Sequence, residues 1–411
     1  MDSNFPNSGN LRIPKLRFPE FGREWESKKL GEIAIFTKGK GISKNEIVEN
    51  GETECIRYGE LYTFYEEVIS EIRSKTNTKI SSLILSEAND VIIPASGETQ
   101  IDIATASCVL KSGVALGGDL NIIKTENNGV FLSYYLNSKK KLEIAKLSQG
   151  ISVVHLYSSQ LALLNLKLPQ LEEQEKLAHF LSLLNSRIHT QKKIISHLET
   201  LMKNSQENIF NQKLKLKKEN GSNFPEWKIK KLGDLLIESK EKSKEKNQYR
   251  IISSTAIGLF YQDDYFTRDI ASQDNTGYKI LKKNQLVFSP QNLWLGNINV
   301  NSDFEIGLVS PSYKIFNFNE NITSSSFCKY YLKTSAMLFE FGQSSIQGAS
   351  VVRRNLDLNM FFNIKIQIPS IDEQIKIAQF LFSLAEKIKL EKNVLAQYEI
   401  QKKYLLSNLF V

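Results

Sequence analysis

Pro169-Gln170-Leu171-Glu172-Glu173-Gln174, continued by Lys176-Leu177-Ala178 and Phe180-Leu181, returns two hundred residues later as Pro369-Ser370-Ile371-Asp372-Glu373-Gln374, Lys376-Ile377-Ala378 and Phe380-Leu381. Matching holds at an offset of 200 through Leu184/Leu384, Ile188/Ile388, Lys192/Lys392, Glu199/Glu399, Lys203/Lys403, Asn208/Asn408 and Phe210/Phe410, which marks a duplication. In the first copy Leu177, Leu181, Leu184, Ile188, Ile195, Leu198, Met202 and Ile209 alternate by fours and threes, with Gln191 and Ser205 filling the gaps. The second copy keeps that register with Ile377, Leu381, Leu384, Ile388, Leu395, Tyr398, Leu405 and Leu409, interrupted by Glu391 and Lys402. Such a heptad seam predicts a long helix with one apolar stripe in each copy. About thirty-five residues at 1.5 Å each make a rod of roughly 50 Å, longer than one compact domain needs to cover its core.

The frame upstream of each rod is duplicated too. Trp25 and Lys28-Lys29-Leu30-Gly31 recur at an offset of 202 as Trp227 and Lys230-Lys231-Leu232-Gly233. Between these landmarks the chain reads as short β-strands: Glu54–Tyr58, Asp90–Pro94, Ala106–Leu110 and Leu120–Ile123 in the first part, Tyr249–Ile252, Gln285–Phe288 and Tyr313–Phe316 in the second. A short helix is expected around Leu132–Leu142. It contains Tyr134-Tyr135-Leu136, echoed by Tyr330-Tyr331-Leu332, and Gly150-Ile151-Ser152 is echoed by Gly348-Ala349-Ser350. The Pro before each rod ends a strand because it has no amide proton to donate. Ser370 with Glu373 makes a capping box in the second copy, where the first has Gln170. The expected fold is α+β, a mixed α/β part plus a long helix repeated in tandem: a globular part at 1–168, a helix at 169–212, a second globular part at 213–368 and a second helix at 369–411. Outside the shared elements the two globular parts differ, which suits two different targets of one kind.

The 411 residues, 41% hydrophobic, suffice for two or three domains with proper cores. Lys plus Arg exceed Asp plus Glu by 53 to 45, a net charge of +8 that leans towards an anionic partner. Cys55, Cys108 and Cys328 are far apart and lack metal-ligand spacing, so neither a disulfide framework nor a metal site is expected and a reducing cytoplasm fits. No leader-like apolar segment and no membrane-length apolar run occurs.

A catalytic constellation is not found. His179, His189 and His197 lie on the first rod, and the matching positions of the second copy carry Gln379, Lys389 and Gln397 instead. Gly39-Lys40-Gly41-Ile42-Ser43 lacks the upstream glycine of a phosphate loop, and no dinucleotide or nucleophile-elbow motif appears, so no cofactor and no catalytic residue is assigned. What remains are polar, amide-rich loops with basic residues. In the first part the candidates are Lys38, Lys40, Arg57, Thr99, Gln100, Gln149 and Ser152, with His155 nearby. In the second they are Gln291, Asn292, Trp294, Gln343, Gln347, Ser350, Arg353 and Arg354. Gln and Asn can pair with adenine and Arg with guanine, while Lys and Ser/Thr contact phosphates. A protein-interaction scaffold without base readout, or a self-sufficient DNA methyltransferase or nuclease, remain alternatives to a DNA reader.

Together the Trp-x-x-x-x-Leu-Gly starts at Trp25 and Trp227, the Pro-x-x-x-Glu-Gln entries at Pro169 and Pro369, the Lys-x-Ala-x-Phe-Leu continuation and the tandem order resemble the specificity subunits of type I restriction-modification systems, over the whole chain. The resemblance implies that each globular part is a target recognition domain reading one half of a bipartite double-stranded DNA sequence, and that the helices form an antiparallel coiled coil. It implies two modification (methyltransferase) subunits docked on this scaffold and two restriction subunits in the larger assembly, which would hold the S-adenosylmethionine, ATP and Mg²⁺. Arg353-Arg354-Asn355 fits the basic or amide residue that the family often has after the Gly-Ser turn; His155-Leu156-Tyr157 departs from it. A rod of about 50 Å exceeds one DNA turn of roughly 34–36 Å, so the half-sites would be split by unread base pairs. Gln191 and Glu391 share a register position near mid-rod, where polar seam residues would fix the pairing of antiparallel helices.

Overall fold

The computed structural model describes residues 13–150, 153–266, 274–347 and 354–411. It comprises two compact units, Met1–Lys192 with Asn393–Val411, and Lys193–Lys392.

In the first unit the strand Asp90–Pro94, Asp-Val-Ile-Ile-Pro, is buried along its whole length. A strand with no polar alternation has no face for water, and it lies accordingly in the middle of a five-stranded sheet ordered Ala34–Lys38, Leu120–Thr125, Asp90–Pro94, Ser107–Val109, Val68–Ile69. The last pair is parallel and the others are antiparallel. A three-stranded sheet of Ser74–Thr76, Thr53–Ile56 and Ala115–Leu116 adjoins it in sequence. The helix Gly129–Tyr135 starts at Asn128, whose side chain accepts the Phe131 amide, and runs through a π-turn at Leu136–Lys140 into Lys141–Leu147. The expected helix around Leu132–Leu142 is therefore longer and broken in the middle.

The second unit has a four-stranded sheet ordered Leu236–Glu238, Lys314–Phe318, Leu286–Phe288, Ile298–Val300. The strand expected at Tyr249–Ile252 begins only at Ile252, with Ile251 in a single bridge to Leu308. Each unit also pairs a lysine-rich strand with the strand that enters a rod: Glu26–Lys29 with Asn165–Leu168, and Lys228–Lys231 with Lys365–Ile368. All four side chains of both lysine-rich strands are exposed, so main-chain bonding is what chiefly holds them, with one added bond from Lys231 Nζ to Asn363 Oδ1 at 2.9 Å.

The rods are the helices Leu171–Phe210 and Ile371–Asn408. In the first unit the start of one rod, at Leu177, Ala178 and Leu181, shares a core with the end of the other, at Leu409 and Phe410. In the second unit Ile209, near the end of the first rod, packs into the core that holds Ile377 and Leu381, at the start of the second. Starts meet ends, so the rods pair antiparallel within each unit. Along the seam Leu177, Leu181, Leu184, Ile188 and Gln191 are buried and Leu198 is half-buried; Ile377 and Leu381 are buried, while Leu384, Ile388, Glu391 and Tyr398 are half-buried. Glu391 pairs along its own helix with Lys387 at 2.6 Å.

Each globular part grips a terminal phenylalanine. Phe410 lies 5.5 Å from Phe131, 5.6 Å from Tyr135 and 6.5 Å from Trp25. Phe210 lies 5.7 Å from Phe327 and 5.1 Å from Tyr331, and Trp227 stands 6.5 Å from Phe327. These are the repeated Trp and Tyr-Tyr positions, so the duplicated aromatics form one kind of socket for the end of a rod.

The repeated glutamine explains the invariance of the rod entry. Gln174 Nε2 donates to Pro169 O and Asn127 Oδ1, both at 2.9 Å, while its Oε1 accepts Asn128 N at 3.1 Å. Gln374 Nε2 donates to Pro369 O (3.0 Å) and Ile322 O (2.9 Å), and its Oε1 accepts Ser324 N (2.9 Å) and Thr323 Oγ1 (3.0 Å). One buried amide thus ties the strand end, the rod and the N-cap of a packed helix together, where an unmet bond would be costly. The neighbouring glutamates differ. Glu173 receives both arms of Arg17, at 2.8 and 2.7 Å, and the Trp25 indole at 3.4 Å. Ser370 Oγ accepts Glu373 N at 3.4 Å, but the Glu373 carboxylate is buried with Oε2 unpartnered instead of turning back to Ser370. Only half of the expected capping box forms.

Candidate nucleic-acid interface

In the first unit the loop candidates gather along one rim. Lys38 ends an edge strand and is exposed, as is Lys40, whose amide bonds to Leu116 O at 2.9 Å. Gly39 between them lies so close to the Gly117 carbonyl that a Cβ would collide with it, and Gly117 in turn packs on Arg57, which a Cβ there would meet at 3.5 Å. Arg57 is half-buried, its amide donates to Glu60 Oε2 at 2.7 Å, and its Nε has no bond. Two residues after Gly117, Asp119 accepts the Ser96 hydroxyl at 3.3 Å, and Ser96 lies 3.2 Å from His155 Nδ1. The short strands Ser96–Gly97 and Val154–His155 set that pair side by side, and His155 exchanges both main-chain bonds with Gln149, at 2.9 and 2.7 Å.

This chain has a direction. A carboxylate only accepts, so the single Ser96 proton goes to Asp119, and Ser96 oxygen takes the Nδ1–H of His155. In the neutral imidazole this leaves Nε2 as a hydrogen-bond acceptor on an exposed side chain. On the helix Glu60–Thr63, Tyr62 is held above its ordinary pKa by burial first and then by Tyr58, Glu98 and Asp102, so it remains a hydroxyl. Thr99 is exposed but engaged: its hydroxyl accepts Asp102 N at 3.1 Å and donates to Asp102 Oδ2 at 2.6 Å, capping the helix Gln100–Ile103. Gln100, the first residue of that helix, and Gln149 are exposed.

In the second unit the focus is Arg354. Its guanidinium sits 4.3 Å from the centre of the Trp294 ring, its Nη1 donates to Gly342 O at 3.3 Å, and its amide donates to Gln291 O at 3.2 Å. Gln343, next to Gly342, is exposed at the end of the helix Ser335–Gln343. The strand pair Ser345–Gln347 and Arg354–Leu356 places Gln347 opposite Arg354. The loop that carries Gln291, Asn292 and Trp294 closes on Gly296, which has φ 88°, a left-handed conformation suited to glycine. Two polar atoms here are buried without a hydrogen-bond partner, Asn292 Oδ1 and Arg354 Nε. Ser152, Ser350, Arg353 and the side chain of Gln347 lie outside the described residues.

The structure therefore sets the Lys38–Lys40 turn and Arg57 on either side of Gly117, brings Gln149 to His155, and brings Gln291, Trp294 and Gly342, the neighbour of Gln343, to Arg354; Thr99 acts as a helix cap. Ser96 and Asp119 were missed, since only the pairing of two-residue strands 59 positions apart joins Ser96 to His155. Burial pushes the thiol of Cys55 up to about 11 and those of Cys108 and Cys328 up to about 12, so all three are packing groups. Among the described residues no His, Cys, Asp and Glu cluster could hold a metal ion, and no helix is long and apolar enough to cross a membrane.

Residues 22–200 and 225–399 match the family model of the type I restriction modification DNA specificity domain. The type I restriction enzyme MjaVIII specificity subunit of Methanocaldococcus jannaschii is 23% identical over 433 aligned positions, covering 99% of this chain and 95% of that protein. In fold, the chain resembles the crystal structure of the type I restriction-modification system S subunit from M. genitalium, with a TM-score of 0.61, 17% identity and coverage of 97% and 99%. It also resembles a chain in a structure of complex assembly and conformational transition of the type I R-M system, with a TM-score of 0.52, 15% identity and coverage of 94% and 97%. Both units carry the matching domain, and the chain belongs to the type I restriction modification DNA specificity family.

Proposed function

We propose that this chain is the non-catalytic specificity subunit of a type I restriction-modification complex that methylates adenine, and that its two globular parts each read one half of a bipartite duplex DNA target. The observation that carries this reading is a shared frame with unlike rims. Gln174 and Gln374 make the same joint, while one unit presents Lys40, Arg57 and His155 and the other Gln291, Trp294 and Arg354. His155, with an acceptor outward, suits an exocyclic amino group, adenine N6 or cytosine N4; Arg354 suits guanine O6 and N7. Lys38 and Lys40 suit phosphates.

The paired rods set the number of unread base pairs and dock two modification subunits, with two restriction subunits joining the larger assembly. Exposed apolar residues away from the seam, Leu183 and Leu201 on one rod and Phe382 and Leu390 on the other, support such docking. S-adenosylmethionine, ATP and Mg²⁺ belong to those partners. The test replaces residues 1–168 with another such domain and maps methylated adenines in a host that also carries the modification subunit. One half of the recognised sequence should change; a change in both halves would sink the reading.

A further inference from the structure

The second unit contains a cavity of about 320 Å³ whose lining includes Lys329, Lys333, Asn299, Ser302 and Gln206. Its volume is at the lower end for small-ligand sites. Lys329 lies in the last turn of the helix Ser325–Tyr331 and Lys333 two residues past its end, and both line the cavity. Lys329 Nζ donates to Ser302 Oγ at 2.7 Å; Lys333 Nζ donates to Asn299 Oδ1 at 2.7 Å and Ala256 O at 3.2 Å. All of these acceptors are neutral. Among the described residues neither lysine is in an ion pair, and Asp303, which also lines the cavity, is exposed and bonds to neither.

The first unit shows what those two positions need for folding alone. Aligning Tyr330-Tyr331-Leu332 on Tyr134-Tyr135-Leu136 sets Lys329 against Ser133 and Lys333 against Asn137. Ser133 Oγ donates to Glu67 O at 2.8 Å, and Asn137 exchanges two bonds of 2.8 Å with the main chain of Ala106. Uncharged side chains do the bridging there. In the second unit the bonds from these positions are made by two cations that repel each other, and burial together with Lys329 lowers Lys333 to about 8. Charge that bridging does not require, set in a cavity without a bonded carboxylate, is arranged for a guest that brings the counter-charge. Two ammonium groups, each with a donor to spare, beside a hydroxyl match the oxygens of a phosphate group.

We propose that this cavity binds a phosphate group, with Lys329 and Lys333 supplying the charge and the Ser302 hydroxyl a neutral contact. The group is carried either by a free phosphate or phosphate ester, or by the backbone of duplex DNA. The site goes beyond the half-site reading above; only its assignment to a backbone phosphate rests on that reading, and titration with inorganic phosphate tests the site without it.

The test uses the full chain and the double variant Lys329→Ser/Lys333→Asn, which installs the residues that the first unit tolerates. Inorganic phosphate is titrated by calorimetry at constant ionic strength. One phosphate should bind the wild type, and the variant should bind about tenfold more weakly or worse, a loss of two charge-assisted contacts. The salt dependence of duplex binding separates the sources. A slope reduced by about one to two in the variant assigns the site to a backbone phosphate, and an unchanged slope with lost phosphate binding assigns it to a free one. Equal phosphate affinity and equal slope in both proteins overturn the proposal. Should the variant not fold, acetylation of the wild type followed residue by residue decides: phosphate should slow labelling of Lys329 and Lys333 severalfold while the exposed Lys246 is unaffected. Labelling that phosphate leaves unchanged would refute the site.

Discussion

Placed side by side, the two units hold their rods with the same glutamine and the same aromatic socket but treat the preceding glutamate differently. Glu173 is closed off by the two arms of Arg17. Glu373 is as deeply buried and keeps one oxygen without a partner. Burial raises its pKa, against which a bond from Trp227 and the charge of Lys215 act. The amide bonds a fixed set of groups at the joint and has not been free to change; the carboxylate depends on what the sequence upstream of each Trp supplies, and there the copies have diverged. Duplication conserved the joint and let its electrostatic surroundings drift.

The sharpest way to break this comparison is to remove the cation. Arg17→Ala leaves a buried Glu173 carboxylate uncompensated and should cost about 3 kcal/mol or more in the first unit, read from the urea midpoint. A loss under about 1 kcal/mol would mean the ion pair is not what distinguishes the units. Next come Gln174→Ala and Gln374→Ala, each stranding main-chain groups at the joint, at about 2–3 kcal/mol apiece. Near-equal losses sharpen the reading of a common joint, while a twofold disparity would contradict it.

Glu373→Gln tests the divergent side. A carboxyl whose folded pKa is raised stabilises the protein fully when protonated, below the ordinary 4.5, and that contribution is lost as pH rises through the raised value. The substitution should therefore cost little near pH 7 and flatten the decline in stability between pH 4.5 and 7. Glu173→Gln, which breaks the Arg17 pair, should destabilise across that whole range. Opposite behaviour in denaturation series at several pH values would reverse the assignment. The smallest effect is expected at the exposed cross-rod pairs, Lys192–Glu399 at 3.8 Å in the first unit and Lys392–Glu199 at 2.7 Å in the second. Charge reversal at Lys392 should cost under about 1 kcal/mol and fade in salt.

The rods, their seam and the joint glutamine were legible because an offset of 200 repeats them against a divergent background. The sheets were legible where burial leaves an apolar run, as at Asp90–Pro94. Glu26–Lys29 and Lys228–Lys231 were not, since a strand with every side chain exposed carries no alternation of apolar and polar residues. The rims were legible as lists but not as assemblies: Gln291 and Arg354 touch through main-chain atoms, and residue type says nothing about that contact. The polarity of His155 depends on Ser96 and Asp119, which look like ordinary loop residues until the fold brings them together.

Most of the atoms that Gln174 and Gln374 bind are main-chain atoms: Pro169 O and Asn128 N in one copy, Pro369 O, Ile322 O and Ser324 N in the other. A joint made mostly that way depends little on side-chain identity. Genetic exchange between chains, with crossovers at the Pro-x-x-x-Glu-Gln stretch, would carry any globular part onto any rod with its seat already made. New recognition specificities can then arise by shuffling whole parts, without re-evolving the connection.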